Sequence, residues 1–450
     1  MRVTIIGAGR VGLTTAVALN YLGHRVSCVD SDGGLVESLL NGEFPFHEPV
    51  LPELWDANSI GVASRLSPAS ASADILFATV STPTLPNGHA DTSAVRSVAE
   101  QVAETVPDQA DVIVAVKSTV PPGTTDALQQ MIDQVLQRRN CTARVATASN
   151  PEFLREGSSL ADMLYPDRIV LGTPDRRSLL SLLNLYRPII QQQFLPPEGA
   201  PRPPGYSCTP VLATRPRNAE LIKYAANAFL VTKLSFINEL AGLAEQLGAD
   251  ITRVAKGIGL DHRIGPHYLD AGVGWGGPCL AKDVRALVGL AADNGRDMPL
   301  LSAALSVNSR QRQHIVRRLE QALGPLQGTT IGILGLAFKA NTDDLTDSPA
   351  LAVASLLLQS GAHVRCYDPV AEPRARREHP HLPLEYHDTV GEMSRGCDAL
   401  VLMTGWPEFK HLPWPELARA MKGKTVVDAR NFLDRQTIEQ AGFTYLGIGR

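Results

Sequence analysis

No two cysteines of this chain stand at CxxC spacing, and its histidines, His47, His262 and His267 among them, form no pair at metal-ligand spacing. We therefore expect no metal centre. The six cysteines (Cys28, Cys141, Cys208, Cys279, Cys366 and Cys397) are scattered along 450 residues, which reads as thiols kept reduced in a cytoplasm. No apolar run approaches the roughly 18 residues needed to span a bilayer, so we expect no membrane partner. Long blocks of one charge are missing too. With a formal net charge of −4, nothing favours nucleic acid, and an anionic ligand would need local Lys and Arg. The opening "MRVTIIGAGR" enters a strand pattern at once, leaving no room for a secretory leader.

What is present is an ordinary globular composition, 44% hydrophobic and 20% charged, in a chain long enough for about three average domains. The first motif is strong because its parts agree. "VTII" is a short β-rich run, "GAGRVG" follows, and "LTTAVALNYL" reads as a helix stopped by Gly23. "HRVSCVD" is the next strand, ending in Asp30. This is the dinucleotide fingerprint Gly7-x-Gly9-x-x-Gly12, with Arg10 and Val11 inside it, in a strand–loop–helix–strand setting. Its glycines permit a tight turn and close approach of a pyrophosphate, and the helix N-terminus attracts the anion. Asp30 lies near the distance suited to the adenosine ribose hydroxyls, and no Arg follows it directly, which favours NAD over NADP. Further apolar strands, "ADILFATV" before Thr82 and "DVIVAVKSTV" ending at Thr119–Val120, predict a parallel sheet with ligands at its carboxyl ends.

A related pattern returns late. "TTIGILGLAF" is a strand, Ser348-Pro349 opens a helix that Gly361 closes, and "HVRCYDP" is the next strand. This half lacks GxGxxG and carries "GLAFKANTDD" instead, which suggests a different phosphorylated ligand. Between the halves, "AELIKYAANAFLVTKLSFINELAGLAEQLG" is helix-forming and apolar round most of its circumference, so it is buried between domains or in a subunit contact. The Pro- and Gly-rich "FLPPEGAPRPPGYSCTP" before it reads as a surface loop. The predicted fold is α/β: two Rossmann-like doubly wound domains, 1–212 and 319–450, joined by a central helical region, 213–318.

Three places could carry chemistry. Lys223 and Asn227 share one face of the central helix, with Glu220 a turn earlier; this is either a reactive face or a solvated strip along one edge. In "SNPEFLREGSSL", Asn150 suits an N-cap and Pro151 a first helical position, placing Glu152 and Glu156 on one face. Those acids either favour the helix dipole or meet a cation. The third place is "GVGWGGPCLAKD", where a flexible glycine-rich loop offers Cys279 close to Lys282 and to a helix starting near Asp283. Cations and helix N-termini make thiolates reactive. The other five cysteines are expected to be small buried hydrophobes.

With these residues in place, the chain resembles the UDP-glucose/GDP-mannose dehydrogenase family over nearly its whole length and in the family's order. The motifs are GxGxxG, "STPT", "KSTVPPGTT", "NPEFLREG", "AELIKYAANAFL", "SFINEL", "DHRIGPHYL", "GVGWGGPC", "GLAFKANTDD" and "YDP". The resemblance implies oxidation of the C6 alcohol of a nucleotide sugar to the carboxylate, with reduction of two NAD. UDP-glucose is the first expectation; GDP-mannose, a UDP-N-acetylhexosamine, or binding without turnover are the alternatives. It makes Cys279 the nucleophile that traps the aldehyde as a thiohemiacetal, later a thioester. It gives Lys223 and Asn227 the developing oxyanion, Glu152 the hydrolytic water, and Thr119 and Asp283 water positioning and proton transfer. Thr82, Thr119, Glu156 and Lys282 join the cofactor contacts. Glu152, Phe153, Leu154, Arg155, Glu156, Arg168, Lys223, Asn227, Arg263, Gly276 and Lys339 become substrate contacts, with Arg263 reaching a neighbouring subunit of a homodimer built on the central helix. Pro278, Leu280-Ala281, Thr346 and Gly33-Gly34-Leu35 depart from the usual family residues, and the Pro-rich loop is longer than usual.

Overall fold

The computed structural model describes residues 1–450, and the chain divides into two compact units. One comprises Met1–Ala226 and Arg285–Asn294; the other comprises Asn227–Val284 and Gly295–Arg450. Each is built round one sheet.

In the first unit the strands are β1 (Arg2–Ile6), β2 (Arg25–Val29), β3 (Gly61–Ala63), β4 (Ile75–Ala78), β5 (Asp111–Val116), β6 (Arg144–Ser149), β7 (Ile169–Gly172) and β8 (Val211–Thr214). Their order is β3-β2-β1-β4-β5-β6-β7-β8. The first six are parallel in the 3-2-1-4-5-6 arrangement of dinucleotide-binding folds. β7 joins β6 antiparallel at Ser149↔Gly172, and β8 runs parallel to β7. The expected parallel sheet thus acquires a reversed edge, a common addition to α/β sheets. Alternation along the strands feeds two cores. Ile5, Phe77 and Ile113 enter one cluster, while their neighbours Ile6, Leu76 and Val114 enter the other. Both faces are covered by helices, so the strands read as unbroken apolar runs.

The second unit repeats this arrangement with β9 (Thr330–Leu334), β10 (His363–Tyr367), β11 (Glu385–Tyr386), β12 (Ala399–Leu402), β13 (Thr425–Asp428) and β14 (Thr444–Gly447). All are parallel, in the order β11-β10-β9-β12-β13-β14. Its core joins the sheet residues Ile331, Ile333 and Val401 to Ile237, Ala241, Ile315 and Leu319 of two long helices. Those helices are Pro216–Leu247 and Pro299–Leu323. Ser348 caps the helix Pro349–Gln359 by accepting from the Ala350 and Leu351 amides, as its sequence position implied. No helix is long and apolar enough to cross a membrane.

Candidate active site

The turn after β1 is shaped to receive a phosphate. Gly7 has φ +104°, a conformation L side chains avoid, and a Cβ on Gly12 would stand 1.9 Å from the Gly7 carbonyl oxygen. Gly9 instead faces open space, and the helix Arg10–Tyr21 that it caps has no side chain on its first amides. A pyrophosphate fits those uncapped N–H groups. Asp30, at the end of β2, accepts from the Ala8 amide at 2.6 Å and from the Asp32 amide at 3.0 Å, holding the turn. Arg10 donates to the His47 carbonyl, lies 3.5 Å from Glu156 and stacks over Phe46. Thr82 and Thr119 follow β4 and β5 and are joined by the Thr82 hydroxyl on the Thr119 carbonyl, 2.9 Å. These residues fit NAD.

The central-helix strip is not solvated. Glu220, Lys223 and Asn227 are 2%, 4% and 7% exposed. Glu220 caps the helix Thr124–Arg138, accepting from the Gly123 and Thr125 amides and the Thr125 hydroxyl. Lys223 Nζ donates to Glu152 Oε1 at 2.8 Å. The predicted helix start at Asn150–Pro151 does not form. Residues 151–155 are an irregular loop, and the next helix is Ser159–Leu164. The reason is that the side chains have longer-range partners. Asn150 donates to the Val170 carbonyl and accepts from Tyr186, and Glu152 is taken by Lys223 and the Leu154 amide. Buried Glu48, absent from the sequence reading, accepts from the Gly157 and Ser159 amides. Only a distant contact of this kind could have disclosed it.

Around Glu152 the electrostatics favour an anion. Burial works to raise its carboxyl, but the charge and hydrogen bond of Lys223, the Leu154 amide and the charge of Lys117 bring it below its ordinary value. Lys117 is a second cation the sequence reading missed, although a lysine ending the apolar strand "DVIVAV" was a signal. It is 4% exposed, and burial pushes its ammonium down to about 8 against the pull of Glu152. Phe153 lies under the Arg168 guanidinium at 3.6 Å, with Lys223 Nζ 5.4 Å from the same ring. A cavity of about 30 Å³ lined by Lys117, Asn150, Glu152, Phe153 and Arg168 has room for one water. Arg155 of the same loop pairs with Asp162.

In the second unit the cysteine loop is fastened, contrary to the flexibility its glycines suggested. A Cβ on Gly272 would meet the Ala429 carbonyl at 2.5 Å, on Gly274 the Asn308 side chain at 2.2 Å, and on Gly276 the Asp347 carbonyl at 2.2 Å. Gly277 has φ +90° and abuts the Phe338 ring. The glycines let neighbouring protein approach, so Gly276 is closed on that side. Asn308 holds Trp275 through its amide and carbonyl, 2.8 and 2.9 Å. The helix begins at Leu280, three residues before the expected start, so exposed Cys279 directly precedes it and its carbonyl accepts from the Asp283 amide. Helix N-termini favour a thiolate. Asp283, 1% exposed, accepts from Asn227 at 2.6 Å and from Lys282 at 2.8 Å.

Of the other cysteines, Cys28, Cys366 and Cys397 are buried as expected, whereas Cys141 is half-buried and Cys208, in the Pro-rich loop, is exposed. Arg263 is exposed, forked onto its own Asp261. Lys339 leans over Phe338, and Asp368, the counterpart of Asp30, accepts from the Leu336, Ala337, Val370 and Ala371 amides and from Trp406. That carboxylate is taken up by donors of the protein itself, from its own turn and from the segments after β9 and β12, which suits a unit without a dinucleotide motif.

Three family models match the chain. They are the NAD binding domain, the central domain and the UDP binding domain of the UDP-glucose/GDP-mannose dehydrogenase family, over residues 1–190, 217–310 and 332–435. A UDP-glucose 6-dehydrogenase of Bacillus subtilis is 38% identical over 100% of this chain and 98% of its own length. One from Pseudomonas aeruginosa is 39% identical, with 100% and 98% covered. Among solved structures, a UDP-glucose dehydrogenase from the archaeon Pyrobaculum islandicum superposes with a TM-score of 0.85 at 36% identity, covering 100% of this chain and 97% of that one.

Proposed function

The chain belongs to the UDP-glucose/GDP-mannose dehydrogenase family, and from that premise we propose that it is a UDP-glucose 6-dehydrogenase, an oxidoreductase converting UDP-glucose to UDP-glucuronate. NAD, when bound, accepts the hydride released from C6 in each of the two oxidations; Gly7, Gly9, Arg10, Val11, Gly12 and Asp30 would hold it, with Thr82, Thr119, Glu156 and Lys282. The observation that carries the chemistry is exposed Cys279 at a helix N-terminus, with Asp283 buried behind it.

Oxidation of the alcohol to the aldehyde needs no nucleophile; oxidation of the aldehyde to the acid does. The Cys279 sulfur adds to C6 and the aldehyde oxygen takes a proton, giving a thiohemiacetal. Loss of hydride and of the hydroxyl proton leaves a thioester. Water, deprotonated with the help of Glu152, adds to C6, and the C–S bond breaks to return the thiolate and release the carboxylate. Lys223 and Asn227 stabilise the negative oxygen at C6 in each step. Thr119 and Asp283 order water and pass protons. Phe153, Leu154, Arg155, Arg168 and Gly276 line the sugar, and Lys339 meets the nucleotide. The regions 1–212, 213–318 and 319–450 would serve cofactor, catalysis and nucleotide respectively.

The stoichiometry tests this. Wild type should form two NADH per UDP-glucose consumed, with slower turnover of GDP-mannose and UDP-N-acetylhexosamines. One NADH per sugar, or a preference for another nucleotide, overturns the assignment.

We further propose a cytoplasmic homodimer, supported by six cysteines outside disulfides and by an exposed apolar stripe. Phe229, Phe236 and Leu243 recur every seven residues on the long helix at 66%, 50% and 50% exposure. Two turns of helix separate each from the next, so they share a face. Phe236→Asp should shift the mass measured by light scattering from two chains to one; a wild-type monomer would refute the dimer.

A further inference from the structure

β5 and β6 run parallel with Val116 level with Ser149, so Lys117 and Asn150 leave the sheet side by side, and Glu152 follows two positions later. Lys117 is buried, and its ammonium has one hydrogen bond, a 3.5 Å contact to Asn150 Oδ1, an oxygen already taken by the Tyr186 hydroxyl at 2.5 Å. The rings of Phe77 and Tyr186 lie 5.8 and 6.0 Å from its Nζ. The fold gains little from a charge so placed: lysine is seldom buried without a close partner, and a methionine would suit two aromatic neighbours. Burial disfavours the ammonium, the charge of Glu152 favours it and the like charge of Lys223 disfavours it. Lys117 in turn helps to hold the Glu152 carboxyl down, and the two line one small cavity.

In the reaction proposed above this cation has no part, whereas Lys223 has two. Lys223 pairs with Glu152 at 2.8 Å, and it also stabilises the oxygen at C6 when that oxygen turns negative. One cation would then serve two anions. A buried carboxyl stays ionised only while opposite charge stands close, so Glu152 would be protonated at the moment it must take a proton from water. We propose that Lys117 is a positioning residue that acts through Glu152, as the counter-charge that keeps its carboxylate ionised while Lys223 is drawn to the oxygen at C6. The proposal rests on the functional reading above, in which Glu152 serves the water that hydrolyses the thioester. Two cations then match two anions. The other groups lining the cavity are engaged. Arg168, which also feels the Glu152 charge, lies over Phe153 with Asp167 at 3.9 Å, Asp162 is paired with Arg155, and burial pushes the Tyr186 hydroxyl up so that it stays neutral.

The test uses Lys117→Met, with Lys117→Gln as a second neutral variant should the first fold poorly. Circular dichroism establishes the folded state. Two quantities are read with UDP-glucose and NAD: kcat from pH 5 to 9, and the fraction of enzyme carrying a thioester on Cys279, by intact mass spectrometry of samples quenched during turnover. We expect the acid limb of kcat to move up by about one pH unit, a loss of about tenfold at the acid end. Thioester should accumulate there, because hydride transfer continues while hydrolysis slows. Both quantities should converge on wild type at the alkaline end, above about 8, where wild type has itself shed the Lys117 proton. A kcat lowered by the same factor at every pH overturns the proposal and makes Lys117 a structural brace. An unmoved acid limb overturns it too, as does a moved limb without accumulated thioester. Failure of the functional reading is separate, since it appears in wild type, as one NADH or none per UDP-glucose.

Discussion

Exchange of Cys279 for alanine should lower net NADH formation from UDP-glucose about a thousandfold or more, while leaving the protein folded. The two halves of the expectation have different causes. The side chain is exposed and precedes a helix whose backbone is held by the Cys279 carbonyl, which alanine retains, so stability should change by no more than about 0.5 kcal/mol. Chemistry, by contrast, loses the sulfur proposed to hold C6 covalently between the two oxidations. The first oxidation does not need the sulfur, so the variant should still produce a slow, single NADH and an aldehyde that a carbonyl reagent such as hydroxylamine captures. Full turnover by the variant, read as NADH at 340 nm on the order of the wild-type rate, would mean that the thiol is a bystander.

The second large effect should come from Lys223→Met, through stability as well as rate. Lys223 and Glu152 are both at most 7% exposed and are joined at 2.8 Å, so removal of Lys223 leaves Glu152 buried with its closest counter-charge gone and only the Leu154 amide and the charge of Lys117 in support. Breaking such a pair costs about 3–5 kcal/mol, and losing an oxyanion partner should cost kcat about a hundredfold or more. Its pH dependence identifies the cause. In wild type the Glu152 carboxyl titrates below its ordinary 4.5, so its contribution to stability is present above that value and is lost as pH falls through the folded value. In the variant burial dominates and the carboxyl moves up, so the stability gap should begin to close at mildly acid pH as Glu152 takes a proton. Above about 8 the gap should widen, because wild type then sheds the buried Lys117 proton while the variant, relieved of the like charge of Lys223, holds it to higher pH. Urea unfolding of both proteins from pH 5 to 9 reads this directly; a gap independent of pH would show that the loss is one of packing alone.

Where local pattern sufficed, the reading from residues held. A glycine-rich turn between a strand and a helix can be recognised within one strand–helix–strand unit, because the turn and the helix N-terminus adjoin in the chain and Asp30 follows at the end of the next strand. The absence of that turn from the second half was equally legible, and Ser348 opened the helix its position implied. Apolar runs marked the buried strands, since a strand covered on both faces has no polar alternation to lose. Cys279 stood out for the same local reason: its glycines, lysine and aspartate surround it in sequence.

What the tertiary structure decided were the questions answered by partners dozens of residues away. Whether Lys223 was solvated depended on Glu152, 71 positions earlier, and the helix predicted at Asn150 gave way because Tyr186 and Val170 claimed the Asn150 side chain meant to cap it while Lys223 took Glu152. The glycines around Cys279 looked like flexibility, yet Ala429, Asn308 and Asp347 press against their backbones. A missing side chain offers freedom or close approach equally, and only the packed neighbour chooses between them.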